Sequence, residues 1–343
     1  MKRTPQLVFS LCFLLLAQCL AVAQDTWKKV TPNARGTQMS YVHPQLERLL
    51  SGKYEELEKE MASPSFADAE ALGMTPQRGF FSTFRFEDWK KPVNWDGYFK
   101  GLDGWQAAFP KSPSSLLARS TAMVGYAWDA RGNGVAGTVT ENGFKLFGER
   151  LIEGLKKLDE ARKLGGDKEP AYWVNLLVYC RGLQAPPEKI KEVVDEALKR
   201  FPEDPDIYYG YCVAILPRWG GDVGEWQSWI STQNKDARWG GKEMDPQLYV
   251  RILWRVYGYI EDSDGPLFEN KKLSWEKAKL GLDQLCEKYP KSVYWKTVRA
   301  HMAWAAEDAK ALTAAITALN GTYDSWAIAP GDLEKMLQDA RAK

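Results

Sequence analysis

Residues 206–222, DIYYGYCVAILPRWGGD, decide how the chain is read. Aromatic and aliphatic side chains crowd Ile207 to Leu216, and the spacing predicts one helix that runs into Pro217 and stops at Gly220-Gly221. Its opening recurs on both sides. Glu169-Pro170-Ala171-Tyr172-Trp173 and Asp245-Pro246-Gln247-Leu248-Tyr249 start helices in the same manner as Asp204-Pro205. Proline suits the first turn of a helix because its missing N–H would have no partner there. Pro170, Pro205 and Pro246 fall 35 and 41 residues apart, in the range of paired-helix repeats. A second phrase, aromatic-Pro followed by a new helix, occurs at Phe109-Pro110, Phe201-Pro202 and Tyr289-Pro290, at separations of 92 and 88 residues.

Between these starts lie helices that serve as second members of each pair. Expected spans are 142–164 with Phe144, Phe147, Leu151, Leu155 and Leu158 on one stripe, 187–201, 223–234 with Trp226, Trp229 and Ile230, and 273–289. The spans 292–304 and 308–319 form a last hairpin, and 330–342 a polar closing helix. Strand signals are nearly absent; residues 135–139 extend briefly at most, and their glycines favour a loop. The expected fold is all-α, an alpha-solenoid in which each hairpin hides its apolar stripe against the next.

Upstream, leucines and aromatics at three- and four-residue steps predict a helix over 44–61, with Gly52-Lys53-Tyr54 inside it matching the glycine-aromatic step of tetratricopeptide helices. A short helix over 66–72 ends at Gly73. Residues 76–110 are rich in aromatics, with Gly97, Gly101 and Gly104 expected to break them into short helical pieces.

The first 23 residues read as an export signal: Lys2 and Arg3, an apolar run from Leu7 to Leu20, then Ala21-Val22-Ala23. Leu16-Ala17-Gln18-Cys19 resembles a lipobox, with glutamine a poor residue before the cysteine. Residues 24–42 are expected as an irregular arm, and 43–343 as the helical domain: 43–110 aromatic-rich, 111–237 a core, 238–343 C-terminal repeats. The net charge is +1, and −1 once the signal's two cations leave. That balance gives no electrostatic case for nucleic acid or an anionic membrane surface, and nothing after the signal is apolar for long enough to span a bilayer. The expected location is periplasmic or secreted. Cys180, Cys212 and Cys286 then remain, with a Cys180–Cys212 disulfide open to neighbouring helices.

The chemistry-bearing patterns are few. Two histidines, His43 and His301, without a carboxylate cluster give no metal site, and His301 reads as a core-edge residue. No nucleophile elbow, phosphate loop or dinucleotide fingerprint occurs, so no catalytic residue and no cofactor is assigned. The 45 acidic residues leave a glycosidase-like pair open without singling one out. The best lead is a twin segment, Arg218-Trp219-Gly220-Gly221 and Arg238-Trp239-Gly240-Gly241, the first followed by Asp222. Arginine with tryptophan stacks on a sugar or peptide. Alternatively, the glycines end a helix, Trp219 covers the hairpin and Arg218 pairs with a carboxylate such as Asp222. Trp128, Asp129 and Arg131 read in the same two ways, the structural one being an ion pair and a buried indole that lock adjacent helices.

Ala127-Trp128-Asp129-Ala130-Arg131-Gly132 together with Leu216-Pro217-Arg218-Trp219-Gly220-Gly221 resembles the bacterial family called domain of unknown function 4034, over roughly residues 46–237. The resemblance implies a tetratricopeptide-like helical architecture and supplies no reaction or cofactor. The functional expectation is a non-enzymatic protein-interaction or scaffold module with its partner, a protein or peptide, near Arg218, Trp219, Asp222, Arg238, Trp239, Trp128 and Arg131. A glycan- or peptidoglycan-binding domain, and a hydrolase with an unrecognised acid pair, are the alternatives.

Overall fold

Proline opens helix after helix, as its fixed φ and missing donor dictate. The computed structural model describes residues 31–32, 44–62, 73–85, 94–132, 136–260, 267–268 and 272–342. The signal expected over 1–23 and the short helix expected over 66–72 lie outside them. The described residues are mostly α-helical. In chain order, after a helical stretch at 44–50, the helices are α1 (Tyr54–Ala62), α2 (Pro76–Arg85), α3 (Trp95–Ala108), α4 (Ser114–Arg131), α5 (Glu141–Lys163), α6 (Pro170–Gly182), α7 (Pro187–Arg200), α8 (Pro205–Ala214), α9 (Glu225–Asn234), α10 (Pro246–Tyr257), α11 (Trp275–Lys288), α12 (Val293–Ala305), α13 (Ala309–Leu319) and α14 (Pro330–Ala342). The chain divides into two units: one runs from Gln38 to Gly281, and the other joins the described residues 31–32 to Leu282–Lys343.

In the larger unit each helix from α3 to α7 packs on the one that follows it, and α4, α6, α8 and α10 also pack in succession, each on the next but one. The core lies along that second row. In α4, Leu116, Leu117, Ala118, Ala122, Met123, Val124 and Ala127 are buried, so nearly every side of the helix meets protein. Glycines set the closest approaches. A Cβ on Gly154 of α5 would lie 2.1 Å from the Tyr179 hydroxyl of α6, and one on Gly210 of α8 would meet Leu177 of α6 at 3.1 Å.

Helix α2 departs from strict chain order, packing on α4 and α6. Phe80, Phe81 and Phe84 enter the core, where Phe80 and Phe84 meet Trp105 of α3 with ring centroids 6.3 and 5.9 Å away. Burial of each such ring is worth about 1.5–3 kcal/mol.

Three expectations need correction. The helix predicted over 44–61 is broken at Gly52, whose φ of +73° is left-handed backbone that helical residues do not adopt. Conversely, α3 runs unbroken through Gly97, Gly101 and Gly104. Two of those glycines serve packing: a Cβ at 101 would meet Leu49 at 3.0 Å, and one at 104 would overlap Tyr54 of α1. Finally, the helix at 206–222 ends at Ala214, and Pro217–Trp219 form a separate 3-10 turn.

In the smaller unit α12 and α13 form the expected hairpin, and α14 packs on α13. Thr31–Pro32, read in sequence as part of an irregular arm, pairs in parallel with Thr322–Tyr323 in a two-residue ladder. His301 is buried, with Nδ1 3.1 Å from the Ala327 carbonyl, and burial holds its pKa below the usual histidine value. Among the described residues, no helix is long and apolar enough to cross a membrane.

Candidate functional site

The row α4, α6, α8, α10 carries a cation at the C-terminal end of each helix or in the turn after it: Arg131, Arg181, Arg218 and Arg255. Unpaired carbonyls at a helix C-terminus make that end partly negative and favour such a charge. Each guanidinium also lies over an aromatic ring. Arg131 is 4.9 Å from the Trp128 centroid and 5.7 Å from that of Phe144. Arg181 of α6 is 5.1 Å from Trp219, Arg218 is 5.5 Å from Tyr259, and Arg255 of α10 is 4.4 Å from Tyr209 of α8. Three of these contacts join a residue of one helix, or of its following turn, to the next member of the row or its turn.

Through this ladder the two separated motifs meet. Trp128 at the end of α4 and Trp219 in the turn after α8 pack edge to face, with centroids 6.5 Å apart. Arg181, only 7% exposed, stacks on Trp219. Trp128 is half-buried and leans on Phe147 of α5. Arg131 donates to the Gly132 carbonyl, and Asp129, exposed, accepts from the Trp95 indole at 3.1 Å. The expected ion pair between Asp129 and Arg131 does not form among the described residues; Asp129 ties α4 to α3 instead.

Arg218 is exposed and donates to the Tyr259 carbonyl, beyond α10. Among the described residues Asp222, the example expected as its carboxylate partner, does not pair with it; Asp222 is exposed, and its backbone N–H donates to Glu225 at the start of α9. The second twin is held mostly by local contacts, with the Tyr208 hydroxyl of α8 also facing Arg238. Arg238 donates to Asp236 at 2.8 Å and to Gln233 at 2.9 Å, while the Trp239 indole donates to the Gln233 carbonyl at 2.7 Å. The side-chain and backbone hydrogen bonds from Arg238 hold the Asp236 carboxyl below the usual range. Of the four tryptophans on this side, Trp226 is fully buried, and Trp219, Trp229 and Trp239 are half-buried.

A polar cluster that sequence reasoning missed lies at the start of α8. Asp206, 3% exposed, accepts from Thr75 at 2.8 Å and faces Arg255 at 3.0 Å and Arg78 at 3.8 Å. Next to it, Asp204 caps α8 by accepting from the Asp206 N–H at 2.8 Å. Burial, and then the neighbouring Asp206 carboxylate, push Asp204 up to about 7. Gln77 of α2 reaches α6 in parallel, accepting from the Ala171 N–H and donating to Glu169. Residues 75–78 thus bridge the N-terminal ends of α6 and α8. The only sequence signal for this was the paired acid in Asp204-Pro205-Asp206; Thr75 and Arg78 lie more than a hundred residues upstream, and Arg255 lies two helices downstream.

Cys180, Cys212 and Cys286 are free thiols, and burial raises the Cys212 thiol well above its ordinary value. Among the described residues no group of histidine, cysteine and carboxylate side chains is placed to hold a metal ion. Comparison with protein-family models, with curated proteins and with solved structures finds no match.

Proposed function

We propose that this chain is an exported, non-enzymatic protein-interaction module built as a tetratricopeptide-like alpha-solenoid of the family called domain of unknown function 4034. The observation that carries the reading is the engagement of the Arg-Trp motifs with the protein itself. Trp219, Trp128, Arg131 and Arg181 stack on one another or on neighbouring rings, which is the use a scaffold has for them. A glycan platform needs indole faces open to the ligand, and none of Trp219, Trp226, Trp229 and Trp239 is exposed. Successive packing of α4, α6, α8 and α10 supports the repeat reading, because each helix covers the apolar side of its neighbour.

The partner's contact is the open edge beside the ladder. There Arg218, Val223 and Tyr259 are exposed, 71% and 41% for the latter two, and Arg218 stacks on Tyr259. A cation beside a ring and an aliphatic side chain suits a peptide with an acidic and an apolar residue. Helix α2 already covers part of the α4–α6 side, which moves the contact towards α8 and α10.

The test is capture from the exported fraction by wild type against the pair Arg218→Ala, Tyr259→Ala, with melting curves as a control. A partner retained by wild type and lost from an equally stable variant supports the assignment. Equal retention would remove this edge from the interface.

The hydrolase reading finds one supporting feature, a carboxyl held near 7 at Asp204 beside a second carboxylate. Both groups are already committed, Asp204 as a helix cap and Asp206 between two arginines. An interaction module accounts for them without catalysis.

A further inference from the structure

Helix α5 buries one side and leaves an apolar stripe on another. Phe147, Leu151, Gly154, Leu158 and Ala161 face the core. Phe144 and Ile152, by contrast, are 44% and 50% exposed. They lie four residues either side of Gly148, so the three share one helical face. A Cβ placed on Gly148 would meet nothing within 4 Å among the described residues. The face is therefore two large apolar knobs flanking a notch, on a helix of 23 residues.

We propose that this face is a self-association surface, on which the α5 of a second copy packs antiparallel about Gly148. A two-fold interface must be complementary to itself, each contact occurring twice. This face meets that requirement. With the axis at Gly148, Phe144 of each copy comes opposite Ile152 of the other, and the two glycines let the backbones approach. The rim charges agree. Glu141 comes opposite position 155, next to Lys156, so two pairs of opposite charge close the two ends. Both residues are exposed, and neither is engaged in an ion pair among the described residues. Complementary rim charges fix register and orientation rather than supply most of the affinity. The occupant is thus specified by the face itself: a surface with its own mirror order of knob, notch and charge fits a second copy. One helix crossing buries less than the roughly 1,600 Å² of a standard interface, which places the association in the micromolar range or weaker.

Sedimentation velocity on the full chain, from about 1 μM to about 1 mM, tests this. The expected result is a mass that rises from one chain towards two. Gly148→Gln fills the notch while leaving the folded chain unclashed and favouring the helix; it raises the half-association concentration at least about tenfold. Lys156→Glu weakens association severalfold, and adding Glu141→Lys restores it. A chain that stays single at every concentration would overturn the proposal and give the face to a different partner. Association that is indifferent to Gly148→Gln would overturn it too, by placing the contact elsewhere.

Discussion

The two Arg-Trp-Gly-Gly segments are the same four residues used in different ways. Both form a 3-10 turn closed by a left-handed glycine, Gly220 with φ +97° and Gly240 with φ +63°. There the likeness ends. Arg218 and Trp219 reach outward, to Tyr259 beyond α10 and to Arg181 and Trp128 at the ends of α6 and α4. Arg238 and Trp239 fold back mainly on Asp236 and Gln233, within six residues, and only Arg238 goes further, to the Tyr208 hydroxyl of α8. Local sequence fixes the turn, because φ/ψ and capping are local. What the side chains touch depends on which helix ends lie beside the turn.

The contrast can be broken most visibly at the indoles. Trp219→Ala is expected to cost about 2–3 kcal/mol in urea unfolding, below the full core range because the ring is half-buried. Trp239→Ala removes one hydrogen bond and some surface packing, and is expected to cost about 1 kcal/mol. Equal losses would dissolve the distinction.

The last glycines sharpen it further. A Cβ at Gly221 would lie 2.1 Å from the Ile215 carbonyl oxygen, whereas at Gly241 it would meet nothing, although φ there is +80°. Gly221→Ala should therefore lose about 2 kcal/mol, and Gly241→Ala about 1 kcal/mol from backbone strain alone. The comparison uses thermal or urea melts of the two variants.

A smaller effect separates the caps of α8 and α10. Asp204 and Asp245 both cap a helix that begins with proline, but Asp206 follows the first where Gln247 follows the second. Asp204 is raised to about 7 in the folded protein, against roughly 4 for an unfolded aspartate. The native state thus holds that proton more tightly, and its contribution to stability falls as pH rises from about 4 to about 7. Asp204→Asn keeps the cap and removes the charge. It should match wild type near pH 4 and be the more stable of the two at pH 8. A parallel pair of stability–pH curves would show that Asp204 is not shifted.

Much of the fold was legible. The proline starts gave α6, α7, α8 and α10, and the stripe Phe144, Phe147, Leu151, Leu155, Leu158 gave α5, because these signals act within one or two turns, although Phe144 turns out exposed and Leu155 half-buried. Glycine was the weak point. Gly52 ends a helix through its φ, while Gly101 and Gly104 lie inside α3 because Leu49 and Tyr54 press against them. Propensity alone treats all three alike. At the site, Trp128, Arg131, Arg218 and Trp219 were found as patterns, but Arg181 and Tyr259, which complete the ladder, carry no motif. Asp206 reaches Thr75 and Arg78 across about 130 residues, a pairing set by the placement of α2 on the row, which no periodicity reports.

The tie between the two motifs can be measured directly by a double-mutant cycle of Trp128→Ala and Trp219→Ala, with Trp128→Ala and Trp239→Ala as the control. Edge-to-face contact at 6.5 Å predicts a coupling of about 0.5–1.5 kcal/mol in the first cycle and none in the second. Additive losses in the first cycle, to within about 0.3 kcal/mol, would contradict the claim that the first Arg-Trp-Gly-Gly binds the helix row together.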